Sequence, residues 1–127
     1  MIIGIGCDIV EHKTTEKLKW NSDAELLKRI FSSRELELYD ANHTTKFLSG
    51  RFAAKEAVLK CLGTGMHDGI FMSDIQILNE ETGKPRLELA GEIKTISEGF
   101  NVNSWHVSIT HSESYSIAFV VAEGAKN

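Results

Sequence analysis

The stretch from Arg51 to Gly65 carries Arg51, Lys55, Glu56 and Lys60 among Phe, Ala, Val, Leu and Cys, and ends in Gly63-Thr64-Gly65. Three cations and one carboxylate at this spacing suit a phosphorylated ligand and its metal. The glycines let backbone N–H groups come close to such a ligand. A plainer reading makes Arg51–Lys55 and Glu56–Lys60 two i, i+4 pairs whose stems cover a core edge while their heads stay in water. The order is helix, then Lys60, then glycines. A phosphate-binding P-loop runs the other way and uses the positive helix N-terminus, so this is not one. A phosphate here faces the negative end of the helix dipole, and Lys60 must overcome that.

A second carboxylate stands near the N-terminus. In Met1 to Val10, Ile3, Ile5, Cys7 and Ile9 line one strand face at period two, and Gly4, Gly6 and Asp8 line the other. A strand gives up side-chain volume this way where another backbone or a ligand comes close. Asp8 is then a carboxylate at a cleared site, or simply the cap of whatever follows. Later in the chain, His106-Val107-Ser108-Ile109-Thr110 alternates polar and apolar, and His111 follows at the strand end. His106 reads as a polar-face residue and His111 as better placed to meet a ligand. Ser112 forms no convincing triad.

Positioning these groups requires a frame. Thr45 to about Leu62 reads as one long helix, rich in Ala, Leu, Lys, Glu and Arg, with Gly63 as its left-handed cap. Its apolar residues surround the axis, which predicts burial. Shorter helices precede it. Glu11 to Trp20 is weakly helical, Asp23 to Phe31 is a short helix, and Ser32 with Glu35 forms a capping box that opens a helix to about Ala41. His43 reads as an exposed loop residue, and Met66 to Gly69 as loop. Phe71 to Leu78 and Arg86 to Leu89 read as strands joined by a hairpin over residues 79–85. Gly91 to Phe100 is a helix, and Tyr115 to Ala122 is a buried strand.

The 127 residues fit one domain with a real core. Net charge of −4 argues against a general nucleic-acid binder. No stretch reaches membrane-span length, and no basic-then-apolar leader opens the chain. Cys7 and Cys61 have no metal-ligand spacing and read as buried free thiols of a reducing cytoplasm. The residues alone suggest a site for a phosphorylated ligand and its metal, and the alternative readings are a Mg-dependent phosphotransferase acting on a nucleotide and a nucleotide-binding module without chemistry. Two carboxylates buried without a metal gain a pure binding site little, which weighs against the module.

Gly4-Ile5-Gly6-Cys7-Asp8-Ile9-Val10, Phe52-Ala53-Ala54-Lys55-Glu56-Ala57-Val58-Leu59-Lys60 with Gly63-Thr64-Gly65, and His106 to His111 with Tyr115 occur in this order. Phe31-Ser32-Ser33-Arg34-Glu35 up to Tyr39 adds a minor motif. Together they resemble the holo-acyl-carrier-protein synthase family of the 4′-phosphopantetheinyl transferase superfamily over nearly the full length. The resemblance implies an α+β fold in which an antiparallel sheet wraps one long central helix. It implies transfer of phosphopantetheine from coenzyme A to a serine of an acyl carrier protein, in the cytoplasm and in fatty acid biosynthesis. It implies Mg²⁺ on Asp8 and Glu56, and a catalytic Lys60. Arg51, Lys55, Lys60, Gly63, Thr64, Gly65, the turn with Lys84 and Pro85, and His111 match regions that hold coenzyme A. His111 matches a position near the 3′-phosphate. A homotrimer with active sites between subunits is implied as well. The family commonly carries an arginine soon after the first strand to dock the acidic carrier protein, and here Lys13 and Thr14 stand there.

Overall fold

The computed structural model describes residues 1–66 and 69–125. Ten regular elements follow one another among these residues. They are β1 (Ile2–Glu11), α1 (His12–Lys17), α2 (Ala24–Ile30), α3 (Ser33–Ala41), α4 (Thr45–Leu62), β2 (Ile75–Asn79), β3 (Pro85–Leu89), α5 (Gly91–Gly99), β4 (Val102–His111) and β5 (Tyr115–Gly124). Single 3₁₀ turns at Trp20–Ser22 and Met72–Asp74 lead into α2 and β2.

The long helix forms where the composition predicts. The Thr44 hydroxyl accepts from the Phe47 N–H at its start, and Gly63 closes it in the left-handed region at φ 66. Thr64 N–H then reaches back to the Leu59 carbonyl, which satisfies a carbonyl that the helix end leaves free. Thirteen of its 18 residues are buried. Phe52 and Glu56 are half-buried and Lys60 is exposed, so one stripe at i, i+4 spacing stays open.

Strands pack around this helix in two antiparallel sheets, not one. The larger has the order β1-β5-β4, and β2-β3 form a separate hairpin. The glycine face of β1 explains the contact with α4. A Cβ on Gly4 would collide with the Cys61 carbonyl, and one on Gly6 with the Ala57 carbonyl. Backbone lies against backbone there, as the cleared face predicts. Ile5, Cys7 and Ile9 therefore point away from α4, while Ile3, beside a register shift, packs against the core. Ile5 and Ile9 are 65% and 56% exposed, and Phe119, opposite Cys7 on β5, is 51% exposed. Cys7 is exposed too, against the expectation of two buried thiols, while Cys61 is buried.

The first half is more broken than the periodicity predicts. Helix α1 stops at Lys17, and Lys19 takes a left-handed turn at φ 54. Trp20 then drops into a second core with Phe31, Tyr39, Phe47 and Leu48. Aromatic burial wins over helix continuation there. The capping box at Ser32 and Glu35 forms with both bonds present. His43 is exposed, stacked on Tyr39 and bonded to its hydroxyl at 3.0 Å. Strand β2 begins only at Ile75 because Met72–Asp74 form a turn, and β4 extends back to Val102. The loop expected over Met66 to Gly69 falls partly on residues 67 and 68, outside the described residues. Among the described residues, no helix is long and apolar enough to cross a membrane.

Candidate active site

Asp8, Glu56 and Lys60 come together where the cleared face of β1 meets the open stripe of α4. Lys60 Nζ donates to Asp8 Oδ1 at 2.9 Å and to the Cys7 carbonyl at 3.0 Å. Asp8 and Glu56 both line an open cleft of about 460 Å³, with Ile9, Val10, Glu11, Thr14, Phe52 and Tyr115. Burial, then the nearby Asp8 charge, raises the Glu56 pKa, and Lys60 opposes that shift. Glu56 is thus a carboxylate short of positive charge. Asp8 raises the Lys60 pKa by hydrogen bonding and then by charge. Two carboxylates and an open cleft suit a hard cation that takes oxygen from one or two side chains and the rest from phosphate and water. Among the described residues no group of three or more His, Cys, Asp or Glu could hold a metal by itself.

Lys55 does not join this cluster, and the expectation of a ligand-binding Lys55 needs correction. Its side chain has no exposure. Nζ donates to Glu35 Oε1 at 2.7 Å, to the Met72 carbonyl at 2.9 Å and to the Ile75 carbonyl. All three ammonium donors are used. Desolvation lowers the Lys55 pKa and Glu35 opposes it. Glu35 also accepts from Ser32 N–H and Ile77 N–H, both at 3.0 Å. One ion pair thus ties α3, α4 and β2 together.

Arg51 lies between these extremes. It is 8% exposed, donates to Asn79 Oδ1 at 2.8 Å and stacks over the Phe47 ring at 3.8 Å. Its buried Nε has no hydrogen-bond partner among the described residues. Burial lowers its pKa to about 10, with Glu35 opposing.

His111 sits at the end of β4 against the helix, where a Cβ on Gly50 would meet its Cε1 at 2.7 Å. Nδ1 pairs with Ser116 Oγ at 2.7 Å. Burial first, then the charges of His12, Lys46 and Arg51, lowers its pKa below the ordinary value. His106 is exposed and pairs with Glu123 at 3.1 Å. Lys84 and Pro85 line a separate cleft of about 460 Å³ with Trp105, His106, Ser108 and Phe119. That cleft shares no lining residue with the Asp8 cleft. Gly63 and Gly65 are exposed beyond the C-terminal end of α4, and Thr64 is half-buried there.

Two residues near His111 carry no signal in the linear pattern. His12 is buried with its Nε2 on Ser116 Oγ at 2.8 Å and its Nδ1 on the Glu113 carbonyl at 2.9 Å. Only the alternation of β5, which turns Ser116 inward opposite both Val10 and His111, hints at its role.

In this α+β frame, Glu56 and Lys60 on the exposed stripe of α4 beside Asp8 of β1 form an arrangement suited to a phosphorylated ligand and its metal. The sequence profile described as the 4′-phosphopantetheinyl transferase superfamily matches residues 4–120, and the chain belongs to that family. It is 40% identical over 124 residues to the holo-[acyl-carrier-protein] synthase of Blochmanniella floridana, covering 97% of this chain and 99% of that protein. The crystal structure of the holo-[acyl-carrier-protein] synthase from Neisseria meningitidis superposes with a TM-score of 0.87 at 32% identity, covering 97% of this chain and 99% of the other. The Helicobacter pylori holo-[acyl-carrier-protein] synthase, in complex with coenzyme A, gives 0.82 at 31% identity, with 94% and 99% covered.

Proposed function

We propose that this chain transfers the 4′-phosphopantetheine group of coenzyme A to a serine of an apo acyl carrier protein, releasing adenosine 3′,5′-bisphosphate. The observation that carries this reading is the Asp8–Lys60–Glu56 cluster where β1 meets the open stripe of α4, in a chain related over nearly its whole length to holo-[acyl-carrier-protein] synthases. The whole chain acts as one catalytic domain.

The serine oxygen attacks the phosphorus of the phosphopantetheine arm, and the bond from that phosphorus to the bridging oxygen breaks. Negative charge gathers on the departing bisphosphate. Asp8 and Glu56 would hold Mg²⁺, which when bound would polarise the pyrophosphate and offset that charge. Lys60 turns an exposed ammonium donor toward the same oxygens. Besides its place at the cation, Glu56, with its raised proton affinity, is suited to take the serine proton. Arg51 and His111 meet the phosphates of the nucleotide half. Its adenosine end lies against the Lys84–Pro85 turn and the Gly63-Thr64-Gly65 loop.

These groups are spread over separate clefts in one chain, so a second copy is needed to close the pocket. The uncovered apolar face of Ile5, Ile9 and Phe119 suits that contact, and the assembly is a homotrimer. Exposed Lys13, Lys17, Lys28 and Arg29 receive the acidic carrier protein. Lys13 replaces an arginine with a weaker bidentate partner. The enzyme works in the cytoplasm. Incubation with apo carrier protein, coenzyme A and Mg²⁺, read by intact mass, tests the reaction. One phosphopantetheine is added if the reading holds, and an unchanged carrier protein refutes it.

A further inference from the structure

His12, Ser116 and His111 form a chain of hydrogen bonds that the transfer reaction does not require. His12 and Ser116 are buried, and His111 is exposed at one end. The bonds are His12 Nδ1 to Glu113 O at 2.9 Å, His12 Nε2 to Ser116 Oγ at 2.8 Å, and Ser116 Oγ to His111 Nδ1 at 2.7 Å.

A carbonyl only accepts, so His12 Nδ1 must carry a proton. With His12 neutral, Nε2 is a lone pair and takes the Ser116 hydroxyl proton. Ser116 Oγ then accepts from His111 Nδ1–H, and the outer nitrogen of His111, Nε2, is left as an acceptor. Adding a proton to His12 reverses the direction. His12 Nε2–H donates to Ser116, the hydroxyl turns to donate to His111 Nδ1, and His111 must hold its own proton on Nε2. Adding the proton to His111 directly has the same outward result. Two added protons would leave both rings donating to Ser116, whose own proton then has no partner among the described bonds.

We propose that His12 and Ser116 are positioning residues that set the tautomer of His111. A single proton on the pair turns the outer nitrogen of His111 from acceptor to donor, whichever ring holds it. The facing charged and titratable groups are Lys46 and Arg51 from α4 and His12 from α1, and Glu113 in the turn offers its carbonyl. Partial burial and these charges lower the His111 pKa. With both rings neutral the site presents a lone pair, and a bound phosphate draws one proton into the pair. The consequence for ligands rests on the proposed contact of His111 with the 3′-phosphate. The tautomer relay does not.

Imidazole ¹⁵N NMR of the ligand-free protein tests the relay. At pH 8 to 9 both rings are expected as Nδ1–H tautomers, an arrangement the isolated side chain disfavours. In His12→Leu the Ser116 hydroxyl has lost its acceptor and turns to His111, which switches to the Nε2–H tautomer. In Ser116→Ala His111 also leaves the Nδ1–H form, while His12 keeps it through Glu113. His111 as an Nε2–H tautomer in the unaltered protein, or unmoved by His12→Leu, overturns the relay. Should Ser116→Ala fail to fold, the unaltered protein and His12→Leu decide alone. Calorimetric titration of adenosine 3′,5′-bisphosphate at pH 8 in two buffers of different ionisation heat then reads proton uptake. About one proton taken up supports the full proposal. No uptake, with the tautomers as expected, removes the phosphate contact and leaves the relay standing.

Discussion

Two lysines of α4, Lys55 and Lys60, are each paired with a carboxylate at hydrogen-bond distance, 2.7 Å to Glu35 and 2.9 Å to Asp8. Side-chain exposures separate them: 0% and 0% for the first pair, 56% and 19% for the second. The first pair has every donor used and cannot exchange partners without opening the core. The second can trade its bond to Asp8 for a bond to a ligand at little cost. The same residue types on one helix therefore serve as a fixed joint and as an adaptable site, and burial decides which.

Lys55→Met should have the largest effect on stability. It leaves Glu35 charged and buried without its counter-ion, a loss of about 3–5 kcal/mol, read by urea unfolding. Lys60→Met should barely move the unfolding midpoint but should slow transfer by about 10²–10³-fold, the usual cost of losing a group that stabilises developing charge. If Lys60→Met unfolds the protein, or Lys55→Met stays stable, the contrast fails.

Next in size is His111→Ala, with a ten- to hundred-fold loss of coenzyme A affinity, from a charge-assisted bond worth roughly 1.5–3 kcal/mol. Dephospho-coenzyme A should hardly respond, and equal losses for both ligands would return His111 to a supporting role. The apolar sheet face gives a further check. Ile9→Glu should lower the sedimentation coefficient and abolish activity together, and a fully active monomer would remove the need for a second copy.

The smallest effect concerns pH. A carboxyl whose pKa is raised on folding disfavours the native state once ionised, so the Glu56 contribution is lost as pH rises through its raised pKa. Glu56→Gln should thus be as stable as the unaltered protein in acid and slightly more stable at neutral pH. Thermal unfolding at both pH values reads this, and a lower midpoint at neutral pH would contradict it.

Much of this was legible from residue order. Helix formers and Gly63 marked α4, and the glycines before Asp8 marked a close approach that proved to be the α4 backbone. Lys55 misled because its partners Glu35, Met72 and Ile75 come from distant segments, and helix spacing shows only neighbours on the same helix. The relay was hidden for the same reason, since 104 positions separate His12 from Ser116. Apolar alternation in β1 also gave no direction, because period two shows which residues share a face and not that Ile5 and Ile9 stay exposed in this chain.

The most direct test is the rate of phosphopantetheine transfer by Glu56→Gln across a Mg²⁺ series, read by intact mass of the carrier protein. A folded variant that fails to transfer at Mg²⁺ concentrations that saturate the unaltered protein is the expected result. Transfer at the unaltered rate and the same Mg²⁺ dependence would show that the open stripe of α4 is not where the chemistry occurs.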